Sequence, residues 1–229
     1  MIGVAYALQT VGLLTTTATN NAFITCTYVV IVPFLMWSGG KKIRGVNFLI
    51  AFITIIGLAT LSLNSDFHVS PGDIWTLGCA FFFATHMVML GEYSPRHDAF
   101  LLTLMQIAMV GLVNIALALV FETLPAAVDF SRPLLLSLLF CALLPTVVCY
   151  LIQTAAQKTI SPVTASVLFM GEAVFGAFFG WLLLQETLLP RQFLGAAILI
   201  LCMSATVLLD SRNGGPKSIA ELEQNRLGK

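Results

Sequence analysis

Residues 167–186 read VLFMGEAVFGAFFGWLLLQE, a run of twenty residues with Glu172 inside it and Glu186 at its end. Such a run is long and apolar enough to cross a bilayer as one helix, and a carboxylate in its middle is costly there. The whole chain has the same character. Its 229 residues are 58% hydrophobic and 10% charged, and the mean hydropathy is +0.94. A soluble domain carries about 25% charged residues, so the solvent for this apolar surface is a membrane. The formal net charge is zero, which argues against a nucleic-acid partner. The five cysteines all lie in apolar stretches with no metal-pair spacing, and read as small hydrophobes. No metal or cofactor is expected.

Eight stretches have spanning character: roughly 2–17, 20–38, 46–63, 72–91, 98–121, 133–157, 161–184 and 190–209. The first is the weakest, being short and starting almost at Met1. Pro133, Pro162 and Pro190 stand where a first helical turn begins, a place that loses nothing by lacking an N–H. The expectation is an all-α integral membrane protein of about eight transmembrane helices, with a polar tail over 210–229. Nothing resembles a cleavable signal peptide at Met1.

Placing the N-terminus inside puts Lys41, Lys42, Arg44, Arg96, Lys158, Arg212, Lys217, Arg226 and Lys229 on one side and only Arg132 and Arg191 on the other. By the positive-inside rule both termini are cytoplasmic, and the membrane is an inner or plasma membrane. One helix more or fewer would scatter those charges.

YALQT at 6–10 recurs as YLIQT at 150–154, an offset of 144 residues. At the same offset Trp37 falls on Trp181, both read as interfacial anchors. The first three spans therefore resemble the sixth to eighth. Five spans separate the copies, an odd number, so the copies point opposite ways across the membrane. Inverted repeats of this kind are a common plan of secondary transporters, with the substrate site near the midplane. Residues 72–209 hold a complete five-helix repeat and 1–63 only three helices of another. Partners for the fourth and fifth spans are missing from the first copy.

SPVTASVLFMGEAVFGAFFGWLLLQETLLPRQFLGAAILILC (161–202) has a proline-led helix, a small-residue centre, a glutamate at the helix end (Glu186) and a glycine-bearing final helix (Gly195). It resembles the EamA-type members of the drug/metabolite transporter superfamily. Residues 6–35 resemble the matching part of the first repeat. The resemblance implies ten helices in two inverted five-helix repeats, of which this chain lacks the first two. It also implies a secondary transporter, most often an exporter, of a small metabolite such as an amino acid or amphiphilic compound, with protons as a candidate coupling ion and room for a homodimer. Missing helices leave a second expectation, a truncated, non-transporting membrane protein or accessory subunit. An enzyme is not expected: His86 is the one histidine inside a span, and no H-E-x-x-H or nucleophile set occurs. No G-x-x-x-x-G-K-[ST] run occurs either, which excludes direct ATP drive for this chain.

The candidate substrate-binding or coupling residues are Glu172, Tyr150, Gln153, Thr154, Tyr6, Gln9, Thr10 and His86. Glu172 lies about 17 Å from either end of its span at 1.5 Å per residue, and suits a proton-coupling site or a partner for a cationic group of the substrate. Gly176 and Gly180 share its face and read as a helix-packing G-x-x-x-G pair. Tyr28 occupies the position aligned with Glu172 in the first copy, so the carboxylate is not duplicated. Pro145 is expected to kink the sixth span and free backbone carbonyls beside Tyr150, Gln153 and Thr154. Gln106 and Asn114 share a face and read as interhelical hydrogen-bonding groups. Asn20 and Asn21 read as helix caps.

Overall fold

The computed structural model describes residues 1–62, 70–121, 131–185 and 188–212. Every regular element among them is helical: α1 (Ile2–Leu13), α2 (Ala18–Cys26), α3 (Tyr28–Ser38), α4 (Gly45–Ser62), α5 (Pro71–Tyr93), α6 (Ala99–Phe121), α7 (Arg132–Cys141), α8 (Cys149–Ala156), α9 (Pro162–Leu168), α10 (Gly171–Leu184) and α11 (Pro190–Arg212). The reason is solvent: in hydrocarbon each backbone N–H and C=O must be satisfied within its own segment. Pairs α2–α3, α7–α8 and α9–α10 each make one bent rod. Seven rods are long and apolar enough to cross a membrane, and α1 is a shorter apolar helix. At 12 residues α1 is about 18 Å long and stops short of the expected residue 17. The last helix runs on to Arg212, past the expected end at 209. Glu186 and the tail from residue 213 lie outside the described residues.

The expected proline punctuation is in place, with Pro133, Pro162 and Pro190 in first helical turns. Pro145 does more than kink its rod. It sits in a π-turn, Ala142–Val148, between α7 and α8. The carbonyl of Cys141 there accepts a bond from Thr146 Oγ1 at 2.9 Å, so one displaced acceptor is satisfied locally.

The 144-residue offset recurs in local structure. Thr17 caps α2 by accepting from Asn20 N at 3.1 Å, and Ser161 caps α9 by accepting from Thr164 N at 3.1 Å. The rod begun by α2 breaks at Thr27, and the rod begun by α9 breaks at Phe169–Met170. Trp37 and Trp181 both stand exposed on the outer faces of the bundle.

Lipid gives apolar helices no hydrophobic reason to associate, so close backbone packing has to hold them. Two seams do this. In α4–α11, a Cβ on Gly195 would fall 2.6 Å from Leu61 N and 2.7 Å from Gly57 O. In α1–α5, a Cβ on Gly12 would fall 3.0 Å from Gly72 O and collide with Thr76 Oγ1. Both seams are backbone against backbone. The buried apolar clusters fill the space beside them, one around Val29, Leu58, Met170 and Leu199, the other around Val32, Ala84, Met87 and Val163.

Gly176 takes no part in such packing. Its position is exposed, and a Cβ there would meet nothing within 4 Å. Gly180, one turn on, is half-buried. Gly176 is therefore not a contact that holds this rod, and α10 instead packs Ala173, Val174 and Ala177 against the first cluster. It makes only slight contact with α4 and α11.

Candidate functional site

The two copies of Tyr-x-x-Gln-Thr meet through their tyrosines. Tyr6 of α1 and Tyr150 of α8 hydrogen-bond hydroxyl to hydroxyl. Both threonines turn back on their own helices in the same way: Thr10 Oγ1 donates to Tyr6 O at 3.0 Å, and Thr154 Oγ1 to Tyr150 O at 2.8 Å. Beyond that the copies diverge. Thr10 is exposed, whereas Thr154 is fully buried. Thr154 Oγ1 accepts from Thr103 Oγ1 at 3.2 Å and from Gln106 Nε2 at 3.2 Å, tying α6 to α8. Gln9 Nε2 donates to Thr25 Oγ1 at 3.4 Å, and Gln153 Nε2 to Gln157 Oε1 at 3.5 Å. The structure thus brings Tyr6, Tyr150 and Thr154 together, and leaves Thr10, Gln9 and Gln153 in separate local contacts.

Beside the tyrosines lies a cavity of about 340 Å³ between α1, α6 and the π-turn. Tyr6, Tyr150, Gln106, Asn114 and Thr146 supply its polar groups. Ile2, Ile107 and Val110 supply apolar wall, and Gly111 leaves room. Among the described residues no charged side chain lines it. Gln106 bonds across to α8, as its position on the sequence suggested. Asn114 does not: its Nδ2 donates to Val110 O of the same helix at 2.9 Å, because it faces open cavity. Sequence reasoning assigned both amides to packing and missed them as lining. Their shared face, with Val110 between them at helical spacing, was the available signal.

Glu172 is the second residue of α10, just past the break, and its side chain is exposed. The N–H groups at the start of α10 are satisfied by the preceding turn, Glu172 N donating to Phe169 O at 3.0 Å and Ala173 N to Met170 O at 3.2 Å. Tyr28 opens α3, past the matching break, so the aligned pair Tyr28 and Glu172 both sit at the start of a second half-helix.

His86 is buried on α5 and its Nε2 has no hydrogen-bond partner. One turn earlier, Phe83 meets the Tyr6 ring edge-on at 5.4 Å between centroids. Asn21 corrects a sequence expectation. The cap of α2 is Thr17, and Asn21 is instead a buried tie between helices, donating to Thr76 Oγ1 at 2.8 Å and to Gln9 O at 3.3 Å. Nearby, Thr16 Oγ1 donates to Asp73 Oδ1 at 2.6 Å, closing the α1–α2 turn onto α5. At the other end of α5, Glu92 accepts from Lys41 at 3.2 Å and from Arg96 at 2.7 Å. Lys41 and Arg96 thus share one end of the bundle. No group of three or more metal-ligating side chains occurs among the described residues.

Known proteins place this arrangement. The model of the EamA-like transporter family matches residues 70–208, more than half of the chain. An uncharacterized transporter of Archaeoglobus fulgidus is 35% identical over 210 residues, which make up 88% of this chain and 66% of that protein. The chain thus spans about two thirds of that relative's length. A protein of known crystal structure superposes with a TM-score of 0.77 over 91% of this chain and 76% of its own, at 13% identity. At that identity the likeness speaks for the fold alone. Together these matches, with seven membrane-length apolar helices, make the chain a multi-pass membrane protein that belongs to the EamA-like transporter family.

Proposed function

We propose that the chain is a secondary transporter that exports a small metabolite, such as an amino acid or an amphiphilic compound, across the cytoplasmic membrane by alternating access. The observation that carries this reading is the Tyr6–Tyr150 bond between equivalent residues 144 apart. Such a bond is what two inverted copies would form on the axis relating them, near the midplane where such transporters bind substrate. The breaks at Thr27 and Phe169–Met170 support it further, since discontinuous helices are the usual way to bring charged and polar groups to that depth. In this reading 1–63 belongs to the first repeat and 72–209 is the second. Tyr6, Tyr150 and Thr154 line or brace the path. Glu172 binds a cationic group of the substrate or carries the coupling proton, and His86 stands beside the path as a second titratable group. Both termini are cytoplasmic.

The test is efflux from proteoliposomes loaded with pools of amino acids and amphiphilic amines, with and without an imposed pH gradient. Saturable efflux of one class is expected. Absence of efflux in every pool sinks the reading. Glu172→Gln protein that exports at the parent rate, with the parent's response to the gradient, removes Glu172 from it.

A further inference from the structure

We propose that the loop joining α3 to α4, with Arg96 beside it, is a binding site for the headgroup of an anionic phospholipid. The site is separate from the cavity and from Glu172, so it stands or falls apart from the transport reading.

The loop has a fixed shape. Gly40 follows α3 with a φ of +80°, a conformation that favours glycine. Gly40 N donates to Trp37 O at 3.0 Å and Lys41 N to Met36 O at 3.0 Å, the paired bonds of a Schellman closure. Ile43 packs on the cluster around Val32, Ala84 and Met87. Asn47 N donates to Arg44 O at 2.9 Å at the start of α4. Pinned at both ends and at Ile43, the loop presents Lys41, Lys42 and Arg44, all exposed.

A fourth cation joins them from the turn after α5. Glu92 accepts from both Lys41 and Arg96, which draws Arg96 alongside the loop. One carboxylate cannot use all the N–H donors of an ammonium and a guanidinium, and Lys41 and Arg96 remain 59% and 66% exposed. Lys42 makes no ion pair among the described residues. Asp98, the next acid along the chain, caps α6, its Oδ1 accepting from Leu101 N at 3.0 Å. Four bases against these two acids leave a positive excess. A group of four or more Lys and Arg beside a membrane-spanning helix attracts anionic lipid. In the proposed topology this end meets the cytoplasmic leaflet, where anionic lipids lie.

Trp37 sets the level. It is the last residue but one of α3 and stands exposed, and Phe34, three residues earlier on the same face, is exposed too. Indole rings sit where headgroups meet acyl chains. Lys41 and Lys42 follow just beyond, at the level of the lipid phosphate. A phosphate free in water would meet the cations alone. A phospholipid brings phosphate to the lysines and acyl chain to Trp37 and Phe34 together, and the arrangement therefore favours the lipid.

The probe is phosphatidylglycerol with dibrominated acyl chains, which quenches tryptophan on contact. The full chain with Trp37 as its one tryptophan (Trp75→Phe and Trp181→Phe) is placed in nanodiscs that mix this lipid with phosphatidylcholine. Quenching against lipid ratio gives the relative affinity of the two lipids at Trp37. A preference of about fivefold for phosphatidylglycerol is expected, the worth of one cation at a membrane surface. It should fall to about one in Lys41→Gln with Lys42→Gln. It should fall likewise in the unaltered loop at about 1 M salt, where charges are screened within about 3 Å, so the salt arm decides even where the double variant fails to fold. A chain with Trp181 alone, on the other copy of the repeat, should show no preference. Excess soluble glycerol phosphate should not compete. Equal affinity for the two lipids at Trp37 overturns the proposal, as does an equal preference at Trp181. A preference that survives both salt and the double substitution also overturns it. Competition by glycerol phosphate overturns the lipid assignment and gives the cations to free phosphate. Efflux is not read here, so failure of the transport reading leaves the result unchanged.

Discussion

Tyr6 and Tyr150 share a hydrogen bond across 144 residues of sequence, and that number is also the offset of the repeat they belong to. Each tyrosine is the first residue of its Tyr-x-x-Gln-Thr copy, so each is bonded to its own equivalent. Each therefore meets the residue at its own position in the other copy of the motif, and the cavity opens beside the pair.

Removing either hydroxyl should remove the same bond. Tyr6→Phe and Tyr150→Phe are each expected to cost about 0.6–1.7 kcal/mol, the range for hydrogen bonds between helices in membranes. The double variant should cost little more than one single. Unfolding in mixed micelles by SDS titration, read as a double-mutant cycle, checks this. Strict additivity would mean the two hydroxyls do not depend on each other.

Glycine substitutions should separate the real seam from the apparent one. Gly195→Ala sets a methyl against the backbone of α4 and should destabilise by about 1–3 kcal/mol, as overpacking does. Gly176→Ala enters open space and should fall within about ±0.5 kcal/mol of the parent. The same unfolding titration reads both. Equal effects would mean α10 packs against something in the membrane.

Asn21→Leu should loosen α2 from α1 and α5 by deleting the bonds to Thr76 Oγ1 and Gln9 O. A loss of about 0.6–1.7 kcal/mol is expected. Asn21→Asp should be worse, since it swaps the donating amide for a second acceptor facing acceptors. Hydrogen exchange at amides of α2 reports the local loosening, and exchange unchanged from the parent in either variant counts against the tie.

Glu172→Gln keeps shape and removes charge. Efflux should lose its response to an imposed pH gradient, or lose selectivity for cationic over neutral substrates. Glu172→Asp should restore part of it. Stability should stay within about ±0.5 kcal/mol of the parent, because the side chain is exposed and makes no hydrogen bond to a described residue.

Much of this fold is written plainly in the sequence. Prolines 133, 162 and 190 mark helix starts, and apolar length marks the spans, because lipid enforces both locally. The recurrence of Tyr-x-x-Gln-Thr pointed to residues that do meet. Other features depend on partners far away in the chain. Thr27 and Phe169–Met170 break their rods with no proline at either break, and the local signals there, Gly171 and the Thr27 hydroxyl bonded back to Ile24 O at 2.6 Å, are weak ones that many unbroken helices also carry. Gly176–Gly180 has the local spacing of a packing pair, yet the working contacts join Gly57 to the α11 backbone and Gly12 to Gly72. Spacing within one helix says which residues share a face, not what that face will meet. Asn21 misled for the same reason: one turn after a helix start, a cap and an interhelical tie look alike until the neighbour is known.

The α4–α11 seam has a consequence for where polar groups can stand. Two helices pressed together at Gly57 and Gly195 leave no room for side chains between them. The helix interruptions lie elsewhere, at Thr27, Phe169–Met170 and the π-turn around Pro145. Tyr28, Glu172 and Thr146 each stand within two residues of one of those interruptions, so the polar chemistry sits where the rods are broken and the seam carries none of it.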